Sequence, residues 1–487
     1  MTAVLGVDLG TSSAKAVAFD TRGVALAAHA VEVPIDAPSP GRAEQDPHRL
    51  VAAAAEAITA VREQMGGLPL AGIGLSGAMH SLLALDAHGN PLTPAVLFAD
   101  NRAAVQASAL RAMPGAIELA RRTGTPIHPM SPLAKLRWFA EEDPAIAARA
   151  RWWISAKEYL LRRMTGARVV DHSTASATGL FNLATRDWDA HALALAHVGR
   201  GQLFDPVVTT TVLPSIAAVG VPARTPVVAG ATDGCLATLG AGAVGEGSGA
   251  LTIGTSGALR AMVDTPEPDE RARLFCYALT EGRWVAGGPI SSGGIVLRWA
   301  RDQLFPGLGP RAYARFDELA AAVPPGADGL VCLPYLLGER APLWDPSLCG
   351  AFVGLTIRHG QGHLLRALLE GVAFQLATVL ELVDGLRRPL VSLKADGGFT
   401  RSPLWPQIVA DVLNRPLELP RVTEGACRGA ALLALQALGL GDAFALAEAT
   451  PIVRVVQPDR QTAEHYRAAL QRFVTLRDQL WETGDVP

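Results

Sequence analysis

Short apolar runs that end in small polar turns alternate with longer segments whose apolar residues recur every three or four positions. VLGVDLG near the start reads as a strand, KAVAFD as its return strand, and GTSSA between them as a tight small-residue loop. The same arrangement recurs in GALTIGTSGALRAMVD near the midpoint. Aligning Gly10-Thr11-Ser12 with Gly254-Thr255-Ser256 also aligns Asp20 with Asp264, at an offset of 244 in a chain of 487 residues. Two like hairpins half a chain apart predict a duplicated domain. Residues 69–81 and 389–402 form a second echo, each read as a strand running into glycine and then a helix. Helical spacing predicts helices over 48–64, 312–323, 363–385, 403–413 and 427–438. Strands alternating with such helices predict an α/β architecture. The glycine-rich stretch from Val228 to Gly249 is the expected junction, giving domains of 1–243 and 244–487.

Composition narrows the class. At 49% hydrophobic and 18% charged, 487 residues bury a large core and exceed one ordinary domain. A net charge of −3 offers no basic field for nucleic acid. The five cysteines, Cys235, Cys276, Cys332, Cys349 and Cys427, are scattered without metal-site or disulfide spacing. The apolar stretch at the N-terminus lacks a basic lead, and no run approaches the ~20 apolar residues of a membrane span. A cytoplasmic protein acting on a small molecule, with no nucleic-acid or membrane partner, is expected; a homodimer is compatible with the sequence. Only four of the 43 basic residues are lysine: Lys15, Lys135, Lys157 and Lys394. Mutational bias accounts for that ratio, except that Lys15 stands in a motif of its own.

Three motifs carry candidate chemistry. In Asp8-Leu9-Gly10-Thr11-Ser12 a carboxylate ends a strand before a glycine turn with hydroxyls, which suits Mg²⁺ and phosphate, with Lys15 adding charge from the return strand. A plain hairpin turn is the ordinary alternative. In Ala229-Gly230-Ala231-Thr232-Asp233-Gly234 an aspartate follows an apolar run; it suits a base for phosphoryl transfer, though on spacing alone a cap for the next helix is the more ordinary role. Asp396-Gly397-Gly398, leading to Ser402, suits close approach of a nucleoside to backbone, or a tight strand–helix connection. Neither a GxxxxGK[ST] loop nor an HRD/DFG pair is present, which excludes Walker-type and protein kinases.

These motifs, taken in order, resemble the FGGY family of carbohydrate kinases over essentially the whole chain. GVDLGTSSAK resembles that family's first phosphate loop and IGTSGA its second. DGGFTRSPLWPQIVADVLNRPLE resembles its adenosine segment, and LPYLLGERAPLWDPSLCGAFVGL its second-domain signature. The resemblance implies a duplicated actin-like, ribonuclease-H-like fold with two domains around a cleft, using ATP and Mg²⁺. It implies Asp233 as catalytic base, and Asp8 with Asp233 at the metal. Gly10, Thr11, Ser12, Lys15, Gly254 and Thr255 are implied at the phosphates, and Gly397, Gly398 and Ser402 at the nucleoside. Met79, His80 and Asp100 are implied at the acceptor. The family's usual triple glycine is Asp396-Gly397-Gly398 here.

SGAMHSLLALDAHGNPLTP, ADNRA, RTGTPIHPMSPLAKLRW and HSTASATGLFNL resemble the family's gluconokinases, with xylulokinases the nearest alternative. A sugar-acid carboxylate needs a fixed cation or N–H cluster. Arg102, His128 and Lys157 are the candidates, each with an ordinary structural role open to it. An actin-like ATPase that phosphorylates no sugar is the alternative of a different class. A chaperone would need an appended peptide-binding domain, a filament subunit would polymerise with ATP, and a sugar sensor would have lost the base.

Overall fold

The computed structural model describes residues 2–266, 268–386, 388–422 and 424–481. The chain groups into two compact units. The first contains the chain up to Val244 together with Met262–Val285 and Val422–Thr450. The second contains Gly245–Ala261, Ala286–Arg421 and the chain from Pro451 onward.

The first unit is built on a mixed sheet. Its strands are β1 (Ala3–Leu9), β2 (Ser13–Asp20), β3 (Ala25–Glu32), β4 (Leu70–Gly77), β5 (Val212–Pro214) and β6 (Pro226–Thr232), in the order β5-β6-β4-β1-β2-β3. β1 pairs antiparallel with β2 and parallel with β4, and β4 pairs parallel with β6. Central β1 is buried at every position but Asp8, which explains its unbroken apolar run. At the sheet edge β3 alternates exposed and half-buried residues. Helix α1 (Pro47–Gln64) starts where Asp46 accepts the His48 N–H at 2.7 Å, with Pro47 at its first position. It buries Leu50, Ala53, Ala54, Ala57, Ile58 and Val61, the stripe its spacing predicts.

Further helices of this unit are α2 (Pro132–Glu142), α3 (Ala156–Thr165) and α4 (Asp233–Gly240). A second sheet, most of it in the second unit, repeats the strand pattern. β7 (Ser248–Ile253) pairs antiparallel with β8 (Gly257–Val263) and parallel with β10 (Ser392–Asp396); β10 pairs parallel with β11 (Leu417–Pro420), and β11 antiparallel with β12 (Ile452–Val456). β9 (Arg283–Ile290) lies on the other side of β8. The helices of the second unit are α5 (Ile295–Trp299), α6 (Ala312–Ala321), α7 (Gln361–Leu386) and α8 (Trp405–Leu413). Each half thus runs hairpin, helix, parallel strand, parallel strand, as the two GTS loops predict.

Helix α9 (Gly425–Ala437) comes from the C-terminal part of the chain but belongs to the first unit. It lies directly on backbone. A Cβ on Gly6 of β1 would stand 1.9 Å from the Cys427 carbonyl oxygen, and one on Gly74 of β4 would stand 2.0 Å from that of Ala430. On the helix–helix side, a Cβ on Gly240 would meet the Gly425 oxygen at 1.9 Å, and one on Gly429 the Leu236 oxygen at 2.0 Å. Arg428 is buried on α9 and donates to the carbonyls of Gly240 at 2.7 Å, Leu446 at 3.0 Å and Gly23 at 3.2 Å, and to Thr450 Oγ1 at 2.8 Å.

One expectation changes. The helix foreseen after Gly77 does not form; Ala78–His80 is a turn in which His80 takes a left-handed φ of 66°. The stretch 228–249 contains most of β6 and all of α4, and the grouping changes within it, between Val244 and Gly245.

Gly74→Ala should lower stability by about 1–3 kcal/mol, because the helix backbone has to move to admit the methyl. Gly385→Ala on α7 meets nothing within 4 Å, and helix propensity should make it neutral or favourable. Denaturation midpoints of the two variants check this, and equal midpoints refute the close-packing argument.

Candidate active site

The C-terminal ends of β1, β4 and β6 bring together residues far apart in sequence. Register places Asp8 opposite Lys15 on β2 and opposite Ser76 on β4. Ser76 Oγ donates to Asp8 Oδ1 at 2.5 Å. Ala231 and Thr232 align with Ser76 and Gly77, so Asp233, the next residue, begins α4 at the same sheet end. Thr232 occupies the cap position, and Asp233 lies in the first helical turn, where its Oδ1 accepts the Gly234 N–H at 2.8 Å. A negative charge there is favoured by the helix N-terminus.

Burial and the neighbouring charge of Asp233 push Asp8 up to about 6, against the opposing effects of Ser76 and Lys15. Burial works to lower Lys15, but its hydrogen bond and attraction to Glu424 and its attraction to Asp8 outweigh this and raise it. The Lys15–Glu424 pair is 2.8 Å long, with each side chain about a third exposed. Glu424, just ahead of α9, is a participant that sequence reading did not identify.

Two neighbouring carboxylates, the charge of Asp233 raising the proton affinity of Asp8, fit a bound cation. Among the described residues no cluster of three or more metal-ligating side chains occurs. That donor set suits Mg²⁺, which takes one or two carboxylates and completes its shell with water and phosphate oxygens. The turn beside them is tight: Gly10 N–H donates to Ser13 O at 3.0 Å, the Thr11 carbonyl accepts from Gln45 Nε2 at 2.9 Å, and the Ser12 carbonyl accepts the Val33 N–H at 2.9 Å.

The acceptor candidates divide by what already holds them. His80 Nδ1 lies 2.7 Å from the Ala177 carbonyl, so that nitrogen carries the proton, and the Tyr277 ring stands edge-on at 6.0 Å. Met79 is partly buried against the core. Asp100 is fully buried and accepts from the Ala43 N–H at 2.8 Å and from the Arg102 N–H, Nε and Nη2. Arg102 also pairs with Glu44. Lys157 pairs with Asp171 at 2.6 Å, both almost fully buried; burial lowers the lysine, and Asp171 opposes this. The Lys157 stem packs beside Gly77 at the end of β4. His128 Nδ1 accepts the Met130 N–H at 3.2 Å. Of the three candidate cations, Arg102 and Lys157 are thus bound to internal carboxylates.

Lys135 on α2 was not singled out by the sequence. It is fully buried, and its ammonium donates to the carbonyls of His80 at 2.6 Å, Leu97 at 2.7 Å and Val96 at 3.3 Å. Burial pushes it down to about 7, opposed by Asp100.

The second unit contains a cavity of about 960 Å³, lined among others by Gly254, Thr255, Tyr313, Asp317, Gly398 and Ser402. Two of its walls are glycine-dependent. Gly397 has φ 113°, and a Cβ there would stand 2.4 Å from the Ile253 carbonyl oxygen. Gly294 N–H donates to Gly254 O at 2.6 Å, and Ile295 N–H to Thr255 O at 3.0 Å, fixing the second GTS turn on the start of α5. Ser402 Oγ donates to Asp317 Oδ1 at 2.6 Å and accepts the Trp405 N–H at 2.9 Å; burial raises Asp317, and Ser402 opposes it. A mostly apolar cavity of this size with a few fixed polar groups suits a nucleoside. The Gly293–Gly294 pair is a signal that the sequence reading did not use; Tyr313 and Asp317 read only as parts of a helix.

Residues 3–240 match the model of the FGGY family of carbohydrate kinases, N-terminal domain, and residues 249–438 match that of its C-terminal domain. A gluconokinase from Bacillus licheniformis is 40% identical over 487 aligned residues, spanning 97% of this chain and 95% of that one. A xylulose kinase from Escherichia coli (strain K12) is 31% identical over 480 residues, spanning 97% of each. Among solved structures, a gluconate kinase from Lactobacillus acidophilus superposes with a TM-score of 0.93 at 34% identity, covering 98% of both chains. A ligand-bound xylulose kinase from the same organism has the same TM-score and identity, covering 99% of both.

With Asp8 raised from 3.8 to about 6, the native state holds a proton that the unfolded chain has released. Asp8 therefore costs stability progressively as pH rises from about 4 to above 6, and the cost remains at higher pH. In metal-free protein the stability of Asp8→Asn relative to wild type should climb across that window and then level. Denaturation midpoints against pH check this, and a difference independent of pH contradicts it.

Proposed function

The chain belongs to the FGGY family of carbohydrate kinases, and on that footing we propose that it transfers the γ-phosphoryl group of ATP to a primary hydroxyl of gluconate, giving 6-phosphogluconate. The observation that carries the chemistry is the pair of carboxylates, Asp8 and Asp233, at one sheet end beside a GTS turn. The choice of gluconate rests on identity: 40% to a gluconokinase against 31% to a xylulose kinase at equal coverage.

In this reading Asp233 orients the acceptor hydroxyl and takes its proton while the new O–P bond forms and the bond to the β-phosphate oxygen breaks, releasing ADP. The Gly10–Ser12 turn, Lys15 and the Gly254–Thr255 turn hold the phosphates. Asp8 and Asp233 would hold Mg²⁺, which would offset charge on the phosphates. Gly397, Gly398 and Ser402 border the nucleoside. Met79, His80 and Asp100 shape the acceptor site, and Arg102, His128 and Lys157 are the candidate cations for its carboxylate. Such catalysis is chiefly positioning and electrostatics.

Asp233→Ala should lower kcat at least ~10²-fold while leaving the fold intact; near wild-type kcat removes Asp233 as the base. In coupled assays of ADP release, gluconate should outperform xylulose, ribulose and glycerol. Turnover of xylulose with none of gluconate overturns the acceptor assignment and leaves the kinase class standing.

A further inference from the structure

We propose that Lys135 is a positioning residue for the acceptor: its ammonium ties together the two main-chain segments that carry His80 and Asp100, and so sets the shape the sugar acid meets. The inference rests on the reading above that those residues line the acceptor site.

A lysine with no exposed surface is costly unless its charge is met. Here it is met by three carbonyl dipoles and by the nearby charge of Asp100, whose oxygens are hydrogen-bonded to Ala43 and Arg102. A methionine of similar volume would fill the space without that cost. What the lysine adds is connection. One ammonium reaches the His80 carbonyl at 2.6 Å and the Leu97 carbonyl at 2.7 Å. The Leu97 oxygen also accepts the Asp100 N–H at 3.2 Å, so Lys135 and Asp100 share one acceptor.

His80 needs such a tether. Its φ of 66° is a conformation that a non-glycine residue keeps only when its surroundings impose it. Ring and main chain are fastened separately, Nδ1 at the Ala177 carbonyl and the carbonyl oxygen at Lys135. Releasing the second contact frees the peptide after His80 to rotate, which moves the imidazole relative to Asp100 without touching the phosphate turns.

The test compares Lys135→Met with His80→Ala in the full-length enzyme, measuring KM for gluconate and for ATP separately. Lys135→Met should raise KM for gluconate about tenfold or more and leave KM for ATP within about twofold. A general loss of packing would affect both substrates. If His80→Ala raises KM for gluconate and Lys135→Met does not, the inference about Lys135 fails and the acceptor site stands. If His80→Ala has no effect, the acceptor reading itself fails.

A wild-type measurement covers the case in which Lys135→Met does not fold. The chain has four lysines, so lysine-selective ¹⁵Nζ labelling gives four ammonium signals. The one with nuclear Overhauser contacts to His80 and Leu97 should shift on adding gluconate and stay in place on adding ADP. An unmoved signal at saturating gluconate overturns the proposal.

Discussion

Where a helix lies directly on strand backbone, no side chain can stand between the two, and the contact of α9 with Gly6 and Gly74 is of this kind. The C-terminal ends of β1 and β4 depend on it. Seated at that depth, α9 brings Glu424 at its start to Lys15, and Lys15 in turn faces Asp8 across the β1–β2 pair. The charge state of Asp8 is thus coupled to a helix more than 400 residues away along the chain. Arg428, one turn into the same helix, secures the arrangement through carbonyls of three other segments and the Thr450 hydroxyl. A backbone-on-backbone contact admits little sliding, and sites that work by positioning require that.

The two halves of this actin-like carbohydrate kinase repeat one plan with an exchange of chemistry. In the first, Asp8 on β1 stands in register with Ser76 on β4. In the second, Thr252 on β7 stands in register with Asp396 on β10. Each half therefore sets one carboxylate and one hydroxyl at the same level beside a GTS turn, on opposite strands. The first half couples its carboxylate to a second one, Asp233, and so suits a cation. In the second, Asp396 Oδ1 accepts the Gly397 N–H at 2.6 Å and shapes a turn against the nucleoside-sized cavity. Position 396, where the family's usual glycine is missing, is occupied by a residue with a local backbone role.

Much of this was legible in the sequence because it depends on local periodicity. α1, α7 and α9 lie within two residues of their expected limits at each end, and both GTS hairpins form where the repeated motif predicts. What was not legible depends on partners distant in sequence. Arg102 and Lys157 look like available cations until Glu44 and Asp171 fold against them. Lys135 sits in PLAKLRWFAEE, which reads as an ordinary helix with a solvated charge, and only the tertiary structure shows the side chain pointing into carbonyls. The turn at His80 was hidden for the same reason: a left-handed residue held by a lysine 55 positions on has no local signature.

The placement of Val422–Thr450 in the first unit bears on the birth of the protein. By the time the ribosome has delivered Val244, the strands of the first sheet exist, yet the helix that covers β1 and β4 has not been made. At about 5–20 residues per second the remaining 206 residues to Thr450 (450 − 244) take roughly 10–40 s. Throughout that interval the newborn chain carries an uncovered apolar surface. Sealing it awaits Val422–Thr450, and a chain cut short before that segment lacks the helix that lies on β1 and β4.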